Sequence, residues 1–162
     1  MVRTTEVRSD FPPLFYDELG RIAVAIGRIE YSLKLCIKDF MGEGFTAGML
    51  IAEEIRNFSD LCTKAIALSD EKNEVESRVA FRNIVDRVRK LGSERNDMIH
   101  AFWTAREDRT PLRVRPERKK GIEAVTWDKT RPVTMEELSD LRRNLESGYA
   151  MLADYRQSPK LP

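Results

Sequence analysis

The chain contains a single histidine, His100, which follows Arg95 by five positions and Asn96 by four. Imidazole is the one side chain that ordinarily titrates near neutral pH, so a lone copy beside a guanidinium and an amide invites a chemical reading. On a helix, Asn96 and His100 stack on one face. Arg95 points about 140° away from His100, but its side chain is long enough to swing toward the same groove. Such a trio suits a phosphodiester. The guanidinium binds two phosphate oxygens and stabilises the charge gained in the transition state, while the imidazole moves protons. The amide holds the imidazole or the substrate in place.

Two other readings use the same residues. In one, Arg95, Asn96 and His100 are a polar helix end facing water. In the other, Asp97 and His100 are an i, i+3 metal pair, but no second histidine or nearby cysteine completes the three ligands a hydrolytic site uses. The expectation is therefore no metal and no cofactor. Metal-free cleavage of RNA by its own 2′-hydroxyl needs one group to take that proton and another to protonate the leaving oxygen. A monomer with one histidine offers only one such group. A twofold dimer pairing two copies of this stretch offers two histidines and two arginines in one cleft, so the chemistry predicts a homodimer with its site on the axis.

Downstream of His100 stand Trp103 and a basic segment from Arg106 to Lys120, with seven basic residues against three acidic ones. Trp103, Arg106, Lys119 and Lys120 are candidate RNA contacts, since a basic strip beside such a site would steer phosphates. The plainer reading is a core or interface aromatic followed by solvated surface.

These residues need a frame to hold them, and the sequence supplies one. Residues 1–13 form a polar tail ending in Pro12-Pro13. From Phe15 the positions Phe15, Leu19, Ile22, Ile26, Ile29, Leu33, Cys36 and Phe40 recur at gaps of four and three, an apolar seam on a helix ended by Gly42 and Gly44. Glu30 and Tyr31 lie beside that seam. Thr46–Leu68 reads as a second helix with a possible break near Asn57–Ser59, and residues 69–73 as a polar turn. A third helix runs from Val75 through Val79, Ile84, Val85, Val88 and Leu91 to Met98, Ile99 and Phe102. Gly92 inside it costs about 1 kcal/mol relative to alanine, which points to a kink or a close approach to a neighbouring backbone.

The period changes to two in Thr110–Arg115 and Ile122–Asp128, so residues 104–132 read as a β-hairpin-like arm. Thr134 and Glu137 form a capping box, with Val133 and Leu138 as a hydrophobic staple, opening a last helix to about Tyr155. Residues 158–162 are a C-terminal tail. The predicted fold is all-α: one domain over residues 14–157, an up-and-down four-helix bundle with the arm inserted before the last helix.

At 162 residues with 41% hydrophobic content the chain can bury a single core, and its 28 basic and 27 acidic residues leave net charge uninformative about partners. Cys36 and Cys62 fall on helical apolar positions, where thiols behave as small buried hydrophobes rather than as a disulfide pair. No apolar run approaches the roughly 20 residues of a membrane span, and the N-terminus lacks the apolar core of a secretory signal. The expected setting is cytoplasmic, without a membrane.

The run Glu94-Arg95-Asn96-Asp97-Met98-Ile99-His100-Ala101-Phe102-Trp103 resembles the signature of the HEPN superfamily (higher eukaryotes and prokaryotes nucleotide-binding): Arg, four to six residues, then His, often with Asn directly after Arg. The match is carried by Arg95, Asn96 and His100, late in a long third helix of a helical bundle. The resemblance implies a metal-independent endoribonuclease with a composite site in a homodimer, often the toxin of a toxin–antitoxin or other defence system, with an antitoxin as a further partner. It equally admits a non-catalytic helical dimerisation or RNA-binding module.

Overall fold

The computed structural model describes residues 10–118 and 125–158, with the side chains of 115–118 and 125–129 outside the description. Among the described residues, five helices and a three-stranded antiparallel sheet make up the fold: α1 (Phe15–Met41), α2 (Phe45–Glu53), α3 (Phe58–Lys72), α4 (Val75–Ile99), β1 (Phe102–Ala105), β2 (Pro111–Arg118), β3 (Val125–Pro132) and α5 (Met135–Gln157). Among the described residues, no helix is long and apolar enough to cross a membrane.

α1 is the central element and packs against all four other helices. Its seam is buried as the 4,3 spacing predicts, with Ile22, Ile29 and Leu33 fully enclosed. Gly42 ends it in the left-handed conformation (φ 69°), a position that favours glycine because no Cβ meets the carbonyl there.

The second predicted helix is two. The chain leaves helical geometry between α2 and α3, and Asn57 restarts it as an N-cap, its side chain accepting from the Ser59 backbone N–H at 2.8 Å. The polar turn expected at 69–73 is instead the last turn of α3, with Ser69 buried and the break only at Asn73 and Glu74. The extra helix changes the topology. Lys34 of α1 meets Glu53 at the end of α2 at 2.6 Å, so α2 runs back along α1. Glu18 pairs with Arg142 at 2.8 Å near the starts of α1 and α5, and Asp39 with Arg156 at 3.0 Å near their ends. α1 and α5 are therefore parallel, where four alternating helices would have set the first and last antiparallel. α4 runs against both, as Phe40 of α1 meets Phe81 near the start of α4 and Tyr155 of α5 meets Ser77.

Val75 and Val79, assigned to the apolar face of α4 by spacing, are exposed; Phe81 fills the core position instead. The arm has one strand more than expected. β1 begins at Phe102, within the segment predicted to be helical, and the order β1-β2-β3 makes a meander. The β2–β3 register shifts between Arg115 and Glu117, where Pro116 has no N–H to give the ladder. The capping box at Thr134 and Glu137 is present in both directions, at 3.1 and 2.8 Å, and Val133 and Leu138 are both fully buried.

Candidate functional site

The Arg95–His100 stretch closes α4. His100 is the C-cap (φ −95°, ψ 7°), and its backbone N–H donates to the Asn96 carbonyl at 3.1 Å. Two residues on, the chain is already in β1. Trp103 explains the abruptness. Its indole N–H donates to the Met98 carbonyl at 2.9 Å, satisfying an acceptor the helix end leaves unpaired, and its ring meets Phe15 edge-on at 5.1 Å. Phe11 stacks on Phe15 at 4.4 Å, so the end of the N-terminal tail docks on the same aromatic cluster.

Arg95 and Asn96 are joined directly, Arg95 Nη1 donating to Asn96 Oδ1 at 2.6 Å. The Asn96 side chain thus holds the guanidinium, while the residue's bond to His100 is the backbone bond of the last helical turn and does not reach the imidazole. On sequence grounds the amide is expected to hold the imidazole or the substrate. Its oxygen is committed to Arg95 instead. The His100 side chain is exposed and makes no hydrogen bond among the described residues.

Arg95 and Asn96 also line a cleft of about 550 Å³ between the N-terminus of α3 and the last turns of α4, with Glu30 of α1 at its side. Gly92 makes that junction possible. A Cβ there would lie 2.2 Å from Phe58, so the α3 start can seat on α4 only against a bare backbone. The close approach inferred from an internal glycine is thus a ring rather than a second backbone. Arg56 and Arg89 line the cleft with Arg95, giving three guanidiniums against the one carboxylate of Glu30. Arg89 Nη2 donates to Thr63 Oγ1 at 3.2 Å. The Nε atoms of Arg89 and Arg95 are both buried without a hydrogen-bond partner.

Sequence reasoning missed Arg56 and Arg89. Arg89, Ser93 and Asn96 follow at i, i+4 and i+7, a polar stripe that could have been read. Arg56 comes near only through the unforeseen restart at Asn57. Glu30 reaches the cleft, while Tyr31 does not line it.

The other candidates lie elsewhere. Trp103 and Arg106 line a separate groove with Asp10, Phe11, Glu107 and Arg109, sharing no residue with the arginine cleft. Trp103 is half-buried and engaged by Phe15 and Met98, the role of a core aromatic; Arg106 is exposed. Lys119 and Lys120 lie outside the described residues. Cys36 and Cys62 are buried. Burial pushes the Cys62 thiol up to about 11 against the opposing pull of Arg89, so it is a neutral thiol at pH 7, unsuited to act as nucleophile. Among the described residues, no group of three or more His, Cys, Asp or Glu could hold a metal ion.

Comparison with protein-family models, with curated proteins and with solved structures finds no match to this chain.

Proposed function

We propose that this chain is a metal-independent endoribonuclease of HEPN type, with α1, α3, α4 and α5 as the bundle and the composite site of a homodimer at the end of α4. The observation that carries the reading is a guanidinium fixed by the Asn96 amide one helical turn before an exposed imidazole that has no hydrogen-bond partner among the described residues. A buried, bonded histidine would serve the fold; this one is open to a substrate or to a second copy.

In the reaction, one His100 takes the 2′-hydroxyl proton and the 2′-oxygen attacks the adjacent phosphorus. The protonated His100 of the second copy gives its proton to the departing 5′-oxygen, leaving a 2′,3′-cyclic phosphate. Arg95 holds the phosphate and stabilises the charge it gains. A toxin role, held in check by an antitoxin protein, is the biological setting this reading suggests.

The test is cleavage of single-stranded RNA by purified protein in EDTA. Cyclic phosphate ends are expected, with a loss of roughly 10²–10⁴-fold in His100→Ala. Equal activity in parent and variant refutes the assignment. The second reading, a non-catalytic RNA-binding or dimerisation module, is favoured by one observation: His100 does not line the cleft that Arg95 does. It predicts binding without cleavage.

A further inference from the structure

We infer that the cleft between α3 and α4 is a binding site within one protomer for a backbone phosphate of single-stranded RNA, with Arg56 and Arg89 as contacts beyond the Arg95 motif. The inference rests on the ribonuclease reading for its ligand, but its geometry belongs to one chain and does not need the dimer.

Three features of the cleft converge on an anion. Arg56, Arg89 and Arg95 bring three planar donor forks to one concave surface, and guanidinium geometry matches phosphate oxygens. The start of α3, a 15-residue helix, opens onto the same space at Asn57, Phe58 and Ser59, adding the positive end of a helix dipole that Asn57 caps at the Ser59 N–H and Asp60 offsets in the first turn. The Nε–H groups of Arg89 and Arg95 are buried with no acceptor among the described residues, so turning either guanidinium toward the cleft would give up no hydrogen bond at Nε. Among the described residues, Glu30 is the only carboxylate lining the cleft and forms no ion pair with the three arginines; Arg89 pairs at 3.7 Å with Asp86, outside the cleft lining. Arg56 is exposed and has no ion pair among the described residues, so its charge is not consumed by the fold.

Phosphate is the fitting chemistry, and RNA the fitting source. The cleft shares Arg95 and Asn96 with the candidate site, so a strand whose scissile phosphate meets Arg95 carries its neighbouring phosphate to Arg56 and Arg89. The cleft would then fix the strand's register at the site.

The experiment measures binding of a labelled single-stranded 12-mer RNA by fluorescence anisotropy across a salt series, in EDTA, with full-length His100→Ala as the uncleaving background. Arg56→Gln and Arg89→Gln are each expected to weaken binding about fivefold and to lower the salt slope by about 0.7, the value of one phosphate contact on a single strand. Arg143→Gln on the exposed face of α5 removes the same charge elsewhere and should leave affinity and slope unchanged. Arg56→Gln keeps the test sound if loss of Arg89 disturbs α3. A parent that binds no RNA, or Arg56→Gln that binds like Arg143→Gln, overturns the inference. So does inorganic phosphate shifting the Arg89 and Arg95 Nε–H resonances while RNA affinity ignores both variants, since the ligand would then be a free anion. Absence of RNA cleavage by protein that retains His100, with these binding effects intact in the His100→Ala background, defeats the ribonuclease reading alone.

Discussion

Gly92 shows how one residue without a side chain can govern a site. Its neighbours Ser93, Arg95 and Asn96 line the cleft, while the glycine itself is filled by Phe58 of the facing helix. Gly92→Ala gains about 1 kcal/mol of helix propensity. It also drives a Cβ to 2.2 Å from the Phe58 ring, and overpacking of that kind costs about 1–3 kcal/mol. The clash should win. Gly92→Ala is expected to melt below the parent and to bind RNA more weakly, because the α3 start shifts away from Arg95. Phe58→Leu in the same background should recover part of the loss. A variant melting at or above the parent temperature would show that the ring yields at no cost. The sequence signalled the glycine but could not name its partner, since Phe58 lies 34 positions away and comes close only once α3 has packed.

At the scale of elements, the best-read signals were local and the missed ones were long-range. The 27-residue helix α1, its end at Gly42 and the capping box of α5 were legible because each depends on neighbours within one or two turns. The split of the second helix was only half legible: Asn57–Ser59 was marked as a break, but the return of α2 along α1 depends on contacts such as Lys34 with Glu53. β1 was missed because Ile99 and Phe102 continue the helical spacing, and the hydrogen bond from Trp103 to Met98 that stops the helix is invisible to periodicity. At the site, the Arg95–Asn96–His100 spacing was legible and the arginines completing the cleft were not. The α5 start offers a pH test. Burial raises the Glu137 carboxyl, but the Thr134 backbone N–H and the Arg131 guanidinium outweigh it and hold it below its ordinary value of 4.5. A carboxylate depressed in the folded state contributes stability above its unfolded pKa and loses it as pH falls through the folded one. Glu137→Gln should therefore show a smaller drop in urea midpoint than the parent between pH 5 and pH 3, and indistinguishable curves would remove Glu137 from acid unfolding. Thr134→Ala should cost about 1 kcal/mol at pH 7, a fall in melting temperature of roughly 2–4 °C.

For the whole molecule, the issue is whether the proposed catalysis would take one chain or two. His100 is the only histidine, it is exposed, and Phe102 two residues beyond is 62% exposed on the edge strand β1. An open imidazole beside an open aromatic on an edge strand suits a face that a second copy covers. The proposed reaction requires an acid and a base at once, so it makes a quantitative demand on mixtures. When parent and His100→Ala chains are co-refolded at a fixed total concentration, dimers with two histidines form in proportion to the square of the parent fraction. A site needing both histidines then gives activity that follows that square, about one quarter at equal proportions rather than one half. Linear dilution of activity would place acid and base within a single chain and defeat the composite site, even if the protein sediments as a dimer. The arginines behave differently in the same design. Arg56 and Arg89 line a cleft within one chain, so in the proposed dimer a heterodimer of parent and Arg56→Gln chains would retain one intact cleft, and RNA affinity is expected to fall by no more than about half where cleavage by His100→Ala mixtures falls by the square.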